Sequence, residues 1–179
     1  MTMKSVFESL VRRRSELRGQ IAASKDVDAL AVQLTDVAFS GIVEAYRALP
    51  VSWMNMDFVV DDHGNAQSPG PDFMEDYDPG REYSILWMTP AHIIEDIVRR
   101  PRGRIVYAAG FLPFGMCPMG GDGYYLRFSE VSSRLTPLYR VYLDWVDPRS
   151  EGRLLPEAQK LVCQSFESVI GVARFEAGP

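Results

Sequence analysis

Few residues in this chain of 179 could carry chemistry, and their spacing fits no established catalytic motif. Cys117 and Cys163 stand 46 positions apart, with no CxxC pair and no regular spacing to His63 or His92. That pattern argues against a zinc site and against a disulfide framework. The chain also has no GxSxG, HExxH, Cys-His or phosphate-loop motif. The sequence therefore predicts a protein that is not an enzyme and that holds no metal and no cofactor.

Both histidines have simple structural interpretations. His63 follows two aspartates and precedes Gly64, which is typical of a solvated turn, and His92 falls in the first turn of a predicted helix. One catalytic alternative stays open, because folding could gather Asp122, Tyr124 and His92 at a pocket. In that case the chain would be an enzyme or a binder of small ligands.

The glycines of Gly120-Gly121-Asp122-Gly123 could cradle an anion, but their context favours a tight turn. They lead into a predicted strand rather than a helix, and they carry an acidic residue. We therefore expect glycines at positive φ in this turn, with the aspartate bonding to nearby backbone.

The strongest signal is an acidic stretch that carries most of the negative charge. Residues 55–82 have a net charge of −7, against −5 for the whole chain and +4 for residues 1–25. The Arg12-Arg13-Arg14 cluster of that basic segment is interpreted as a solvated helix face. An acidic total disfavours a nucleic-acid-binding surface, because phosphate neutralisation needs clustered Lys and Arg.

Aromatic side chains are interleaved with these carboxylates, and the combination suits the docking of a basic protein. The alternative is a loop that only keeps the protein in solution. The predicted partner-binding residues are Asp57, Asp61, Asp62, Asp72, Phe73, Glu75, Asp76, Tyr77 and Asp78.

Hydrophobic periodicity predicts the elements that position these residues. Helices are expected over residues 5–23, 26–50, 91–100 and 155–175, with Thr89-Pro90 as the N-cap and first position of the third. Strands are expected over residues 58–60, 83–88, 104–111, 124–128 and 139–146. This order predicts one α+β domain over residues 1–179, with a mainly antiparallel sheet packed against N-terminal and C-terminal helices. Within it, residues 1–50 form a helical part and residues 51–82 an exposed, acidic, loop-rich segment.

Two further patterns concern the cellular setting. The first ten residues contain no apolar run of a signal peptide, and the longest uncharged stretch, 105–121, is interrupted by Gly and Pro. The sequence therefore predicts no membrane segment, and the unpaired cysteines fit a cytoplasmic protein.

Four short motifs occur in a characteristic order in the second half of the chain. They are Phe111-Leu112-Pro113-Phe114-Gly115, Gly121-Asp122-Gly123-Tyr124-Tyr125-Leu126-Arg127-Phe128, Pro137-Leu138-Tyr139-Arg140-Val141-Tyr142 and Ser165-Phe166-Glu167-Ser168-Val169-Ile170. This succession resembles the SUKH superfamily over residues 84–172, about half of the chain. The resemblance implies an α+β core without catalytic residues.

The resemblance also implies a role in protein binding. Such proteins are most often bacterial immunity proteins that neutralise a cognate toxin, frequently a nuclease, and fungal relatives are regulatory scaffolds. A cytoplasmic immunity protein with a basic toxin as its partner is thus the leading expectation, and a regulatory scaffold is the alternative. The motif residues expected to be structural are Phe111, Pro113, Phe114, Gly121, Asp122, Gly123, Tyr124 and Phe166.

Overall fold

The computed structural model describes residues 4–35, 39–75, 78, 80–128, 136–150 and 153–179. The helices in these ranges are α1 (Lys4–Arg12), α2 (Ser24–Gln33), α3 (Ser40–Ala48), α4 (Pro90–Val98), α5 (Pro101–Ala108) and α6 (Phe166–Val172). The strands are β1 (Met54–Val60), β2 (Ala66–Gln67), β3 (Glu82–Trp87), β4 (Phe111–Met116), β5 (Asp122–Arg127), β6 (Leu138–Tyr142), β7 (Gln159–Cys163) and β8 (Arg174–Ala177). Helices packed on an antiparallel sheet make this an α+β fold, as the sequence predicts.

The strands form one sheet in the order β2-β1-β3-β4-β5-β6-β7, and β8 pairs with β1 beside β2. Every pairing is antiparallel. The junction between β3 and β4 is short, because only Leu86 and Trp87 of β3 pair across it. The sheet also curls, since Lys160 of β7 places its Nζ 6.0 Å from the centre of the Tyr83 ring on β3.

One face of the sheet forms the main core against the helices. The alternate residues Met54, Met56 and Phe58 of β1 are fully buried, as period-two alternation requires. Aromatic side chains fill the centre of this core: the ring of Phe166 on α6 lies 4.7 Å from that of Phe114 and 5.9 Å from that of Trp87. A smaller apolar cluster lies between α5 and the strands β5 and β6.

The start of α4 is confirmed as predicted. Thr89 is the N-cap, its hydroxyl oxygen accepts a hydrogen bond from the backbone N–H of His92 at 3.2 Å, and Pro90 occupies the first turn. The Thr89 oxygen pairs with a backbone N–H that has no partner within the helix. Proline has no N–H, so in the first turn it leaves no donor unpaired.

The helical prediction for residues 1–50 is right in kind but wrong in detail. The first helix ends at Arg12 rather than continuing to residue 23, and the single helix expected over 26–50 is divided into α2 and α3. Arg13 is not on a solvated helix face either. Its guanidinium donates to the carbonyl oxygens of Ile170 and Ala173, both at 2.7 Å, and so caps the carboxyl end of α6.

Residues 104–111 were expected to form a strand but lie mainly in α5. The preceding helix ends before Pro101, and Pro101 then starts a new helix, in whose first turn a missing N–H costs nothing. The strand follows as β4, so residues 112–116, expected in a connection, pair with β5.

The prediction of a final helix over residues 155–175 is wrong. This segment contains a 3-10 turn at Pro156–Ala158, then β7, α6 and β8. The apolar residues with helical spacing belong to different elements, and Ser165 caps a new helix by accepting from the N–H of Ser168 at 3.2 Å. In the same region β6 ends at Tyr142, and Leu143–Trp145 form a 3-10 turn instead of extending the strand to residue 146.

Within the described ranges, the helices are all too short or too polar to cross a membrane.

Candidate functional site: an acidic surface

The predicted partner-binding residues lie on three consecutive pieces of chain. Asp57 is on β1, Asp61 and Asp62 are in the turn between β1 and β2, and the others belong to the connection between β2 and β3. Asp76 and Tyr77 lie outside the described residues. The predicted loop-rich segment 51–82 is not simply an exposed loop, because it contains the strand β1, most of whose residues are buried.

Asp57 was expected at the exposed surface, and the structure corrects this. The residue is only 5% exposed, and its carboxylate oxygen lies 3.4 Å from Nη2 of Arg174 on the neighbouring strand β8. Ser84, its paired residue on β3, is its second polar partner. Burial raises the pKa of Asp57, against the lowering effect of these two partners. Asp57 is therefore engaged within the sheet rather than facing a partner.

Asp61 organises its own turn. Its carboxylate accepts hydrogen bonds from the N–H groups of His63 and Asn65, both at 2.9 Å, and from the side-chain amides of Asn65 and Gln67. The hydrogen bond from the Asn65 backbone is the main cause of a lowered pKa for Asp61. Its oxygens are thus already engaged, whereas the neighbouring Asp62 is exposed.

Two residues at the start of β3 hold the acidic loops together. Arg81 forms an ion pair with Asp62 and lies 3.9 Å from the carboxylate of Asp78. The carboxylate of Glu82 accepts hydrogen bonds from the backbone N–H of Met74 at 3.4 Å and of Asp78 at 3.1 Å. The exposed carboxylates are therefore carried on loops that are tied to the sheet.

Arg174 is a contributor that sequence reasoning missed. Its guanidinium lies 5.4 Å from the centre of the Phe73 ring, in addition to its contact with Asp57. A cation over an aromatic face is attractive, so this contact helps to hold the loop. No local signal could have identified it, because residue 174 comes to β1 only when β8 joins the sheet, and that segment was predicted to be helical.

Met119 is an exposed apolar residue next to the acidic loops. Its side chain is 71% exposed, in the turn between β4 and β5, and it lines a cavity together with Met74. Gly120 and Gly121 adopt φ values of +92° and +87° in the same turn, as expected for glycines there. We call the group Asp62, Asp72, Phe73, Glu75, Asp78 and Met119 the acidic surface.

The three residues of the catalytic alternative have partners of their own. Asp122 accepts a hydrogen bond from Nε of Arg140 at 2.7 Å, and the buried ring of Tyr124 lies 6.4 Å from that of Tyr83. His92 places Nδ1 3.0 Å from the hydroxyl oxygen of Thr89, and its ring lies 5.5 Å from that of Trp53. The neighbours of His92 thus differ from those of Asp122 and Tyr124.

The family-motif residues mostly lie in the core. Buried members are Phe111, Pro113, Phe114, Gly123, Tyr124 and Phe166. Gly123 is in β5 rather than in the turn, and a Cβ there would come within 2.5 Å of the Tyr125 ring. The side chain of Asp122, which was expected to bond to nearby backbone, accepts a hydrogen bond from the side chain of Arg140.

Across the described parts of the chain, no three His, Cys, Asp or Glu side chains are grouped so that they could hold a metal ion. Comparisons with known proteins give no match to a family model, to a curated protein or to a solved structure. The residues and geometry of the acidic surface are therefore the basis for assigning a function.

Proposed function

We propose that this chain is a non-catalytic binding protein of the immunity type, which neutralises a basic toxin by covering its active or substrate-binding surface. The observation that carries the proposal is the acidic surface. Its four carboxylates, those of Asp62, Asp72, Glu75 and Asp78, are exposed on loops that Arg81 and Glu82 tie together, and Met74 of the same loops lines a cavity with the exposed Met119.

An exposed apolar side chain near charged ones fits the general arrangement of protein interfaces. Binding surfaces combine an apolar anchor that becomes buried with a polar rim that stays in contact with water. Clustered charges of one sign raise the rate of encounter with an oppositely charged partner and disfavour wrong partners. Residues 55–82 contain only one cation, Arg81, and Arg174 of β8 pairs with the buried Asp57, so the segment keeps a net negative charge.

The described parts of these loops are also held to the sheet without a partner. Arg81, Glu82 and Arg174 fasten them to β3 and β8 through ion pairs, hydrogen bonds and a ring contact. A surface that is held in its binding conformation loses less conformational entropy on association. Order of this kind favours a specific docking surface over a loop that only keeps the protein in solution.

The resemblance to the SUKH superfamily gives the proposal its biological form. It supports an immunity protein whose toxin is a nuclease or another basic domain. A regulatory scaffold would use the same kind of surface on a different partner, so the partner's identity separates the two.

The experiment is co-expression with the protein encoded by the neighbouring gene. If that protein contains a toxic basic domain, we expect this chain to restore the growth of cells that make the domain. The two purified proteins should also form a stable complex by gel filtration with light scattering. Undiminished toxicity in the presence of the folded chain, with no complex between the purified proteins, would contradict the proposal.

A further inference from the structure

A small cavity lies beside the acidic surface and shares Met119 with it. Its volume is about 90 Å³, and it lies between the β1–β3 pair and the turn that follows β4. Its lining residues are Asn55, Met74, Ser84, Cys117, Pro118 and Met119. Thus residues from two strands form one side, and residues from two loops form the other.

The polar groups of this cavity are oxygen atoms that can accept hydrogen bonds. Oδ1 of Asn55 is buried and has no hydrogen-bond partner in the structure. A buried acceptor without a donor is costly, so such an atom in a cavity points to a ligand that supplies one. Ser84, paired with Asp57 across the two strands, contributes a hydroxyl oxygen that can accept a hydrogen bond.

The charge around the cavity favours a cation. No Lys, Arg or His is among its lining residues. The carboxylate of Asp57, which is paired with Ser84 across the two strands, already has Arg174 as its cation. The negative charge available to a ligand is therefore that of the exposed carboxylates of Asp72 and Glu75, which flank Met74 in the chain. The thioether side chains of Met74 and Met119 are flexible and apolar, so they suit the methylene chain that carries a charged group.

We infer that this cavity is a lysine pocket, which receives the ammonium group of one lysine side chain of the basic partner, with Asn55 Oδ1 and Ser84 Oγ as acceptors and the side chains of Met74 and Met119 along its methylene groups. The inference rests on the proposed function, and it names one contact by which the partner is recognised.

The shape of the acceptor set selects lysine over arginine. Asn55 and Ser84 lie on adjacent strands and are diagonal neighbours, because Asp57 pairs with Ser84 and Asn55 pairs with Leu86. Each offers a single oxygen, which suits a compact ammonium with three rotatable donors. The planar guanidinium of arginine is matched instead by a carboxylate that accepts two parallel hydrogen bonds.

The test uses the full chain labelled with ¹³C at its methionine methyl groups and titrated with Nα-acetyl-lysine methylamide. We expect saturable shifts of the methyl signals of Met74 and Met119, with the signal of the core residue Met54 unchanged. The norleucine analogue, which has the same stem without the ammonium group, should cause no saturable shift. Asn55→Leu should weaken lysine binding about tenfold or more, because a hydrogen bond to a charged group is lost.

Ser84→Ala is a second variant that keeps the test decisive if Asn55→Leu fails to fold, as judged by the dispersion of the methyl signals. Equal binding of the lysine and norleucine probes, or no binding of the lysine probe, would overturn the inference. A partner that binds wild type and Asn55→Leu equally would also overturn it while leaving the proposed function intact. Absence of any toxin partner would instead contradict the proposed function and leave the lysine titration as an independent result.

Discussion

Asp96 is a buried carboxylate that joins α4 to the sheet. It is 4% exposed, and its Oδ2 accepts a hydrogen bond from the hydroxyl of Tyr125 on β5 at 3.2 Å. Arg100 is its nearest cation, with Nη1 4.0 Å from Oδ1. Burial raises the pKa of Asp96 above its ordinary value, and the hydrogen bond and the cation offset this only in part. The ionised form of Asp96 is thus disfavoured by the fold.

We predict that Asp96→Asn removes part of the pH dependence of stability. Because the folded-state pKa is raised, the stabilisation from protonated Asp96 is complete below the unfolded pKa of about 3.9 and is lost as the pH rises through the folded value. Asparagine still accepts from Tyr125 and does not titrate. The free energy of unfolding of the variant relative to wild type should therefore increase with pH above about 4.

Urea denaturation at a series of pH values measures this difference. Asp144→Asn is the matched control, because Asp144 is an exposed carboxylate that pairs with Arg102. A relative stability of Asp96→Asn that stays constant across the series would contradict the account of Asp96.

At this scale the sequence indicates residue types but not their surroundings. The concentration of carboxylates in residues 55–82 is visible in the sequence, and Asp62, Asp72, Glu75 and Asp78 are indeed exposed. The burial of Asp57 could not be predicted, because its partner Arg174 is 117 positions away. Met119 could not be assigned to this surface from the sequence, because it is 45 positions from Met74 and comes next to it only in the fold.

The junction of α4 and α5 is an element-scale feature that depends on one glycine. A Cβ on Gly103 would lie 2.3 Å from the backbone oxygen of Asp96 and 2.6 Å from its carboxyl carbon. The two helices approach so closely at this position that no side chain fits between them. Gly171 in α6 has nothing within 4 Å of the corresponding position.

We predict opposite effects of alanine at these two glycines. Gly103→Ala should lower the free energy of unfolding, because the helices must separate to admit the methyl group. Gly171→Ala should raise it by about 0.5 kcal/mol, since alanine has the better helix propensity and meets no obstacle. Thermal denaturation followed by circular dichroism compares them, and a stabilising Gly103→Ala would contradict the packing described for α4 and α5.

A further element-scale prediction concerns α6. Phe166 is fully buried, and its ring packs against those of Phe114 and Trp87. Phe166→Ala should lower the free energy of unfolding by about 3–5 kcal/mol, because it removes a large apolar side chain and leaves a cavity. Chemical denaturation measures the loss, and a change below about 1 kcal/mol would show that α6 does not anchor the core.

Elements were predictable where local chemistry decides them. Thr89 and Pro90 mark the start of α4 by side-chain capping and a fixed φ, and both effects act within one turn. The prediction of one helix over residues 155–175 was wrong because its apolar residues have the spacing of a single helical face. In the structure they belong to a 3-10 turn, β7 and α6, as Ala158, Leu161, Val162 and Phe166 show. The secondary structure of this segment is set by the pairing of β7 with β6 and of β8 with β1. Strand pairing of this kind depends on residues elsewhere in the sequence, so local patterns do not reveal it.

For the molecule as a whole, opposite charges in the sequence have different structural uses. The basic segment 1–25 contributes Arg13 to the end of α6, whereas the acidic segment supplies both a buried strand and an exposed surface. The sequence predicts the α+β class and shows where acidic residues are concentrated, but it does not predict that β1 is buried within that stretch. It does not reveal that contacts from Glu82 of β3 and Arg174 of β8 hold the described parts of that region to the sheet.

The association rate of the partner at several salt concentrations tests the central claim most directly. We compare wild type with Asp72→Lys/Glu75→Lys and with the control Glu44→Lys/Glu157→Lys, which reverses two exposed carboxylates outside the acidic surface. Both double variants change the net charge from −5 to −1, so they differ only in where the charge is altered.

The first variant should associate about tenfold or more slowly at low salt and show a weaker salt dependence, while the control stays close to wild type. Equal association rates and equal salt dependence for the two double variants would contradict the claim that the acidic surface docks the partner.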